Sequence, residues 1–230
     1  MITQEDIPKE AELFTSAFYS DRDAKKESFY TFGFIDQDLV KASGKDIHWT
    51  PVDNSGGFWQ VPSASTSING KKIALNGNTA IVDTGTTLAL VSDEVCAALY
   101  KAIPGAKYDD QQQGWLFPLS TKVEQLPTLS VAIGDQEFEI QKEDLAFAPA
   151  NDAYWYGGVQ SRGTMEFDIL GDVLLKSIYA VSCLEHYGGE LLTDCRLQIW
   201  DQGNTRFGCV PKIEPTQNLT PPPDSGSAGN

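Results

Sequence analysis

Short apolar runs, separated by clusters of Gly, Pro, Asn and Asp, recur along this chain. That pattern predicts strands joined by turns more than helices. Phe29 to Asp36 reads as a buried strand, and Gly33 within it marks a close backbone approach. Ile47 to Val52 and Phe58 to Val61 are strands flanking an Asp53-Asn54-Ser55-Gly56-Gly57 turn. Ser67 to Ile73 is a hairpin with Asn69-Gly70 at its tip. Further strands are expected at Thr79–Val82, Trp115–Phe117, Leu129–Ile133, Phe138–Ile140 and from Phe167. Helical spacing is clearest after Ser92. That residue caps a segment with Asp93 and Glu94 in its first turn and Val95, Leu99 and Ile103 on one face. Pro104-Gly105 ends it. A second short helix is expected within Val173 to Ile178, and Glu10 to Tyr19 fits a strand or a short helix.

Composition narrows the function classes. With 230 residues, 41% of them hydrophobic, the chain can bury one sizeable core. A net charge of −15 repels nucleic acid and anionic membranes, so neither is expected as a partner. No run reaches the roughly twenty apolar residues of a membrane span. The start, Met1-Ile2-Thr3-Gln4-Glu5-Asp6, is polar and does not read as a signal peptide. Cys96, Cys183, Cys195 and Cys209 form no C-x-x-C pair, so no zinc site is expected. His48, between Ile47 and Trp49, reads as an ordinary edge-strand histidine rather than a hydrolase base.

Candidate chemistry is concentrated in Thr79-Ala80-Ile81-Val82-Asp83-Thr84-Gly85-Thr86-Thr87-Leu88, an apolar strand ending in Asp-Thr-Gly-Thr. Peptide hydrolysis without a metal or covalent intermediate needs an activated water and a proton donor. Two carboxyl groups about 3 Å apart supply both, because like charges so close share one proton. Each carboxylate must be held rigidly. Ile81 and Val82 anchor the strand; the Gly85 N–H and the Thr86 hydroxyl are placed to bind the Asp83 carboxylate.

This run resembles half of the active site of the pepsin-like aspartic endopeptidases. The similarity extends through Thr31-Phe32-Gly33-Phe34-Ile35-Asp36, Trp49-Thr50-Pro51-Val52, Gly57-Phe58-Trp59-Gln60-Val61 and Gln125-Leu126-Pro127-Thr128-Leu129. It continues in Ile169-Leu170-Gly171-Asp172-Val173-Leu174-Leu175-Lys176 and Asp201 to Gly208. The resemblance implies a mainly β fold with short helices: the C-terminal lobe of a bilobal acid protease, closest in style to secreted fungal members. It implies Asp83 as a catalytic carboxylate and Thr84, Gly85, Thr86 and Gly171 as its supporting loop. Ile81 and Thr87 would contact a peptide or protein substrate. The full-length protein would be secreted or vacuolar, with no cofactor.

Several features depart from that pattern. Only one strand-borne D-T-G is present; Asp224-Ser225-Gly226 has the letters but follows three prolines. The partner carboxylate is therefore expected from a missing N-terminal lobe, and the chain alone is expected to be inactive. The alternatives are a non-catalytic single lobe that binds peptides or partners, and self-pairing of two copies. Residues 1–13 read as an inter-lobe remnant, 14–211 as the lobe and 212–230 as a disordered tail. Residues 182–199 interrupt a strand of the resemblance. Val181-Ser182, Leu192-Thr193 and Gln198 can be encoded by splice-like signals, so this stretch is expected to be an unspliced intron, the alternative being a loop closed by Cys183–Cys195. Leu119 and Trp155 stand where the family carries a disulfide; a Cys96–Cys209 bridge is a substitute the sequence leaves open. Asn218-Leu219-Thr220 has the N-glycosylation pattern.

Overall fold

The computed structural model describes residues 13–22, 26–186, 200–212 and 219. Among these, eighteen strands form four sheets, with three short α-helices between them. Strand β1 (Leu13–Ala17) pairs with β2 (Phe29–Phe32) and with β17 (Ile178–His186). With β18 (Trp200–Pro211) and β3 (His48–Pro51) they make a five-stranded antiparallel sheet, ordered β2-β1-β17-β18-β3. Helix α1 (Gln37–Ser43) covers one face of that sheet: Leu39 and Val40 pack with Ala17, Tyr179, Val181 and Val210. The sequence reading carried the preceding strand to Asp36 and missed this helix. Gly33 turns the chain at φ 81°, and Asp36 caps α1 by accepting from the Asp38 and Leu39 amides. Two apolar residues are too few for a periodic signal.

The Asn-Gly hairpin forms as expected, with β5 (Ser65–Ile68) and β6 (Lys71–Ala74) joined through Asn69 and Gly70, both at positive φ. It extends a sheet with β11 (Leu129–Ile133) and β12 (Gln136–Ile140). Another four-stranded sheet is built from β9 (Lys107–Asp109), β10 (Gly114–Pro118), β13 (Ala146–Pro149) and β14 (Tyr154–Gly157). Helix α2 (Asp93–Lys101), capped by Ser92 as its sequence predicts, buries Val95, Cys96, Leu99 and Tyr100 in the main core.

The fourth sheet has mixed direction. Its order is β15-β8-β16-β7-β4, from Val159–Ser161, Ala89–Val91, Asp168–Leu170, Thr79–Val82 and Gln60–Pro62. Strand β16 lies between β7 and β8, parallel to the first and antiparallel to the second. Residues 83–88, which join β7 to β8, must therefore arch over the end of β16.

Cys96 and Cys209 are buried free thiols, so no bridge joins them. Phe117 lies opposite Trp155 on paired strands, and Leu119 packs on the core, so both positions at which the resemblance implies a family disulfide make apolar contacts here. Ser182 and Cys183 do not interrupt β17. They pair with Phe14 and Leu13 on one side and with Phe207 and Arg206 on the other, and the register shifts only between Leu184 and His186. Residues 187–199, including Cys195, lie outside the described residues, as do residues 1–12 and most of the tail. Within the tail, Leu219 packs against the main core, a contact that polar tail composition hides.

Two buried carboxyls link the fold to pH. Asp168, at the start of β16, is 2% exposed and accepts from Arg162 Nη1 at 2.8 Å and Asn78 Nδ2 at 2.7 Å. Asp144 is 4% exposed beside Lys176 and Arg22. Burial raises both above the ordinary 3.8, although the neighbouring cations pull the other way. The native state then binds protons more readily than the unfolded chain. Its advantage is fully present below the ordinary carboxylate range and is lost as pH rises through the raised values. The thermal midpoint should fall between about pH 4 and about pH 7, and Asp168→Asn should flatten that slope. Scanning calorimetry across this range checks it; a midpoint that rises with pH would contradict the assignment.

Candidate active site

The site is built on the crossing of β7 and β16. Asp83 follows the last residue of β7, and its N–H donates to Leu170 O at 3.1 Å, continuing the parallel ladder by one bond. The chain then turns back tightly, with Thr86 N–H donating to Asp83 O at 3.4 Å. This turn presents the carboxylate to two donors from its own loop. The Gly85 N–H donates to Oδ1 at 2.9 Å, and the Thr86 hydroxyl donates to Oδ2 at 2.6 Å. Donors aimed at both oxygens fix the plane of the carboxyl group. Asp83 is half-buried, while Thr84, Gly85 and Thr87 are exposed, so the tip faces outward.

Gly171 supports the loop from beneath. A Cβ there would lie 2.0 Å from Thr86 O and 2.5 Å from Leu88 O, a backbone approach that only glycine permits. Helix α3 (Asp172–Leu175) begins at the next residue. Its first amides serve the loop: Asp172 N–H donates to Thr86 O at 2.8 Å and Val173 N–H to Thr87 O at 3.1 Å. Burial pushes the Asp172 carboxyl up; Lys176 pulls it down, while the charges of Asp83 and Asp144 raise it. Sequence reasoning quoted Asp172 within its motif and assigned it nothing. The signal was its position directly after the buttressing glycine.

The other sequence-selected residues divide by face. Ala80 joins the main core and Val82 packs against it, whereas Ile81 belongs to neither apolar core. Alternation puts Ile81 on the opposite face of the sheet. There Gln60, Ile81, Ile169, Leu90 and Gln160 stand in register across all five strands. Ile81 keeps 6% of its surface, so it supports the tip more than it offers area. Trp59 O accepts from Val82 N–H at 3.1 Å, which brings the exposed Phe58 beside the tip's strand. His48 is occupied elsewhere, its Nε2 2.9 Å from Ile133 O and 3.4 Å from Asp135 Oδ1. Among the described residues, no cluster of His, Cys, Asp and Glu could hold a metal ion, and no helix is long and apolar enough to cross a membrane.

The contact under Gly171 gives a direct test. Gly171→Ala must displace the Thr86 carbonyl, and with it the hydroxyl on Oδ2. We expect a loss of about 2–4 kcal/mol of stability in denaturant titration, with shifted amide resonances concentrated at residues 83–88 and 171–173.

Comparison with known proteins agrees with this construction. The family profile of eukaryotic aspartyl proteases matches residues 1–186. Aspergillopepsin-1 of Aspergillus pseudoglaucus is 41% identical over 152 residues, covering 66% of this chain and 37% of that protein. Penicillopepsin-1 of Talaromyces stipitatus is 40% identical over 152 residues, with the same coverage. This chain thus spans little more than a third of the length of these curated relatives. In fold it is similar to the crystal structure of aspartic proteinase from Irpex lacteus. The TM-score is 0.65 at 22% identity, covering 91% of this chain and 58% of that one. A strand-end Asp-Thr-Gly-Thr buttressed by a glycine-bearing neighbour strand, within a chain whose profile match runs over most of its length, makes this protein a member of the eukaryotic aspartyl protease family.

Proposed function

We propose that this chain is the second half of an acid endopeptidase, with Asp83 as one of two catalytic aspartates. The observation that carries the reading is the outward-facing carboxylate, held by Gly85 and Thr86 on a loop that Gly171 and α3 brace. A second carboxylate, supplied by an N-terminal lobe, would approach the exposed side of the tip. The pair would share one proton: the ionised member takes a proton from water while the other donates to the scissile carbonyl. Thr84, exposed next to Asp83, is placed to bond across to the equivalent loop of that lobe. Thr87 and the Ile81 row would border an extended peptide bound by strand-like hydrogen bonds.

The surface bears on the missing lobe. Among the described residues, strand β2 is an edge of its sheet, and an exposed edge invites another strand. Along it Tyr30 and Phe32 are 48% and 53% exposed, and Phe34, just past its end, is 58% exposed. Phe32 stands 6.4 Å from Phe14, which meets Trp59 edge-on at 6.3 Å, so the aromatic strip reaches the strand beside Asp83. Exposed apolar area of this kind favours a partner surface. The likeness to fungal relatives supports a secreted or vacuolar full-length protein.

The chain alone should cleave peptides weakly or not at all at acid pH. Joined in frame to the first lobe of a fungal relative, it should gain activity that Asp83→Asn lowers about a thousandfold or more. Cleavage of a quenched fluorescent peptide reads this. Robust cleavage by the chain alone, abolished by Asp83→Asn, would point instead to two copies pairing. Peptide binding without cleavage in every pairing would favour a non-catalytic lobe.

A further inference from the structure

We propose that Lys176 is a positioning residue for the Asp83 loop, acting through α3 from its tether on the buried Asp144 carboxylate. The proposal rests on the catalytic reading above only for its relevance to chemistry. Helix α3 is a single turn of four residues, too short to hold itself, so its placement depends on what grips its ends. At its start the amides of Asp172 and Val173 are committed to Thr86 O and Thr87 O. Wherever that turn sits, those carbonyls follow, and the Thr86 hydroxyl on Asp83 follows with them.

The grip at the other end is electrostatic. Lys176 follows the last residue of α3, and its N–H closes the turn on Asp172 O at 2.9 Å. Its Nζ donates to Asp144 Oδ1 at 3.3 Å. Asp144 belongs to a 3-10 turn, Lys142–Leu145, that also buries Glu143. A second cation, Arg22 from the β1–β2 connection, lies 3.7 Å from the same oxygen and donates from Nη2 to Ala146 O at 2.9 Å. The 3-10 turn also reaches the loop's far end. Gly158 N–H donates to Leu145 O, and Gly158 O accepts from Ala89 N–H at the start of β8. A Cβ on Gly158 would clash with the Asp144 carbonyl and lie 3.2 Å from Val173 Cγ2, so the 3-10 turn meets this residue backbone to backbone and α3 packs on it through the Val173 side chain.

Lys176 is thus the cation that caps α3 between two carboxylates, Asp172 one turn before it and Asp144 across the contact. Without its charge, Asp172 faces Asp83 and Asp144 with no compensating cation on its own helix. Asp144 keeps Arg22 alone beside the buried Glu143. Both changes push the first turn of α3 away from the loop.

Amide hydrogen exchange in the full chain tests this with Lys176→Met, Lys176→Arg and Asp144→Asn. Lys176→Met should speed exchange at Asp172 and Val173 about tenfold and leave the amides of β11 unchanged. Lys176→Arg should restore both, and the Asp172 carboxyl, followed by NMR titration, should rise in the Met variant and return in the Arg variant. Asp144→Asn, which keeps the side-chain shape, should reproduce the Met pattern and decides the matter if the Met variant does not fold. Acceleration of β11 in parallel, or unchanged exchange at Asp172 and Val173, would overturn the proposal. No step requires cleavage, so failure here leaves the catalytic reading standing, and failed reconstitution leaves the exchange result standing.

Discussion

The structure depends on one backbone crossing. Strand β16 inserts between β7 and β8, so the loop joining those two strands must pass over it, and Gly171 lets the two main chains touch. Everything that orients Asp83 follows from that contact. The ladder bond from Asp83 N–H to Leu170 O fixes where the strand ends, and the carbonyls of Thr86 and Thr87 face the first amides of α3. A carboxylate held by its own loop, with that loop held by a neighbouring strand and helix, is preorganised before any substrate arrives.

Charge and burial act together around this crossing. Asp168 lies in β16, Asp172 begins α3 and Asp144 faces Lys176, and burial raises all three carboxyls. Each has a cation within reach, Lys176 or Arg162, but desolvation outweighs the attraction. These groups lose least by being buried when the medium is acidic, and a chain of net charge −15 also repels itself less there. The surface composition and the buried network thus favour the same pH range.

The aromatic strip belongs to the same logic. Most large apolar side chains enter one core around α2 and the sheets, yet Tyr30, Phe32, Phe34 and Phe58 remain outside it. Tyr30 and Phe32 lie on the edge strand β2 and Phe58 precedes the strand that pairs with β7, so exposed apolar area borders the strand that carries Asp83.

Motif and alternation were legible without coordinates. Asp83, Gly85 and Thr86 were selected because strand, tight turn and hydroxyl can converge locally, and local convergence needs only sequence spacing. The Ser92 cap and the Asn69-Gly70 hairpin were readable for the same reason. Strands β13 to β15 were missed although Phe147, Tyr154, Trp155, Tyr156 and Val159 favour strands, because each element is only three or four residues long and shows no sustained alternation. The Lys176–Asp144–Arg22 cluster was invisible, since its members are separated by most of the chain and meet only on folding. The order of residues by itself determined the family, the acidic group and its immediate donors, because those contacts lie within a few positions of one another. Tertiary structure alone decided which strand slides beneath the loop, which thiols stay apart and which charges brace α3, because distant packing sets them.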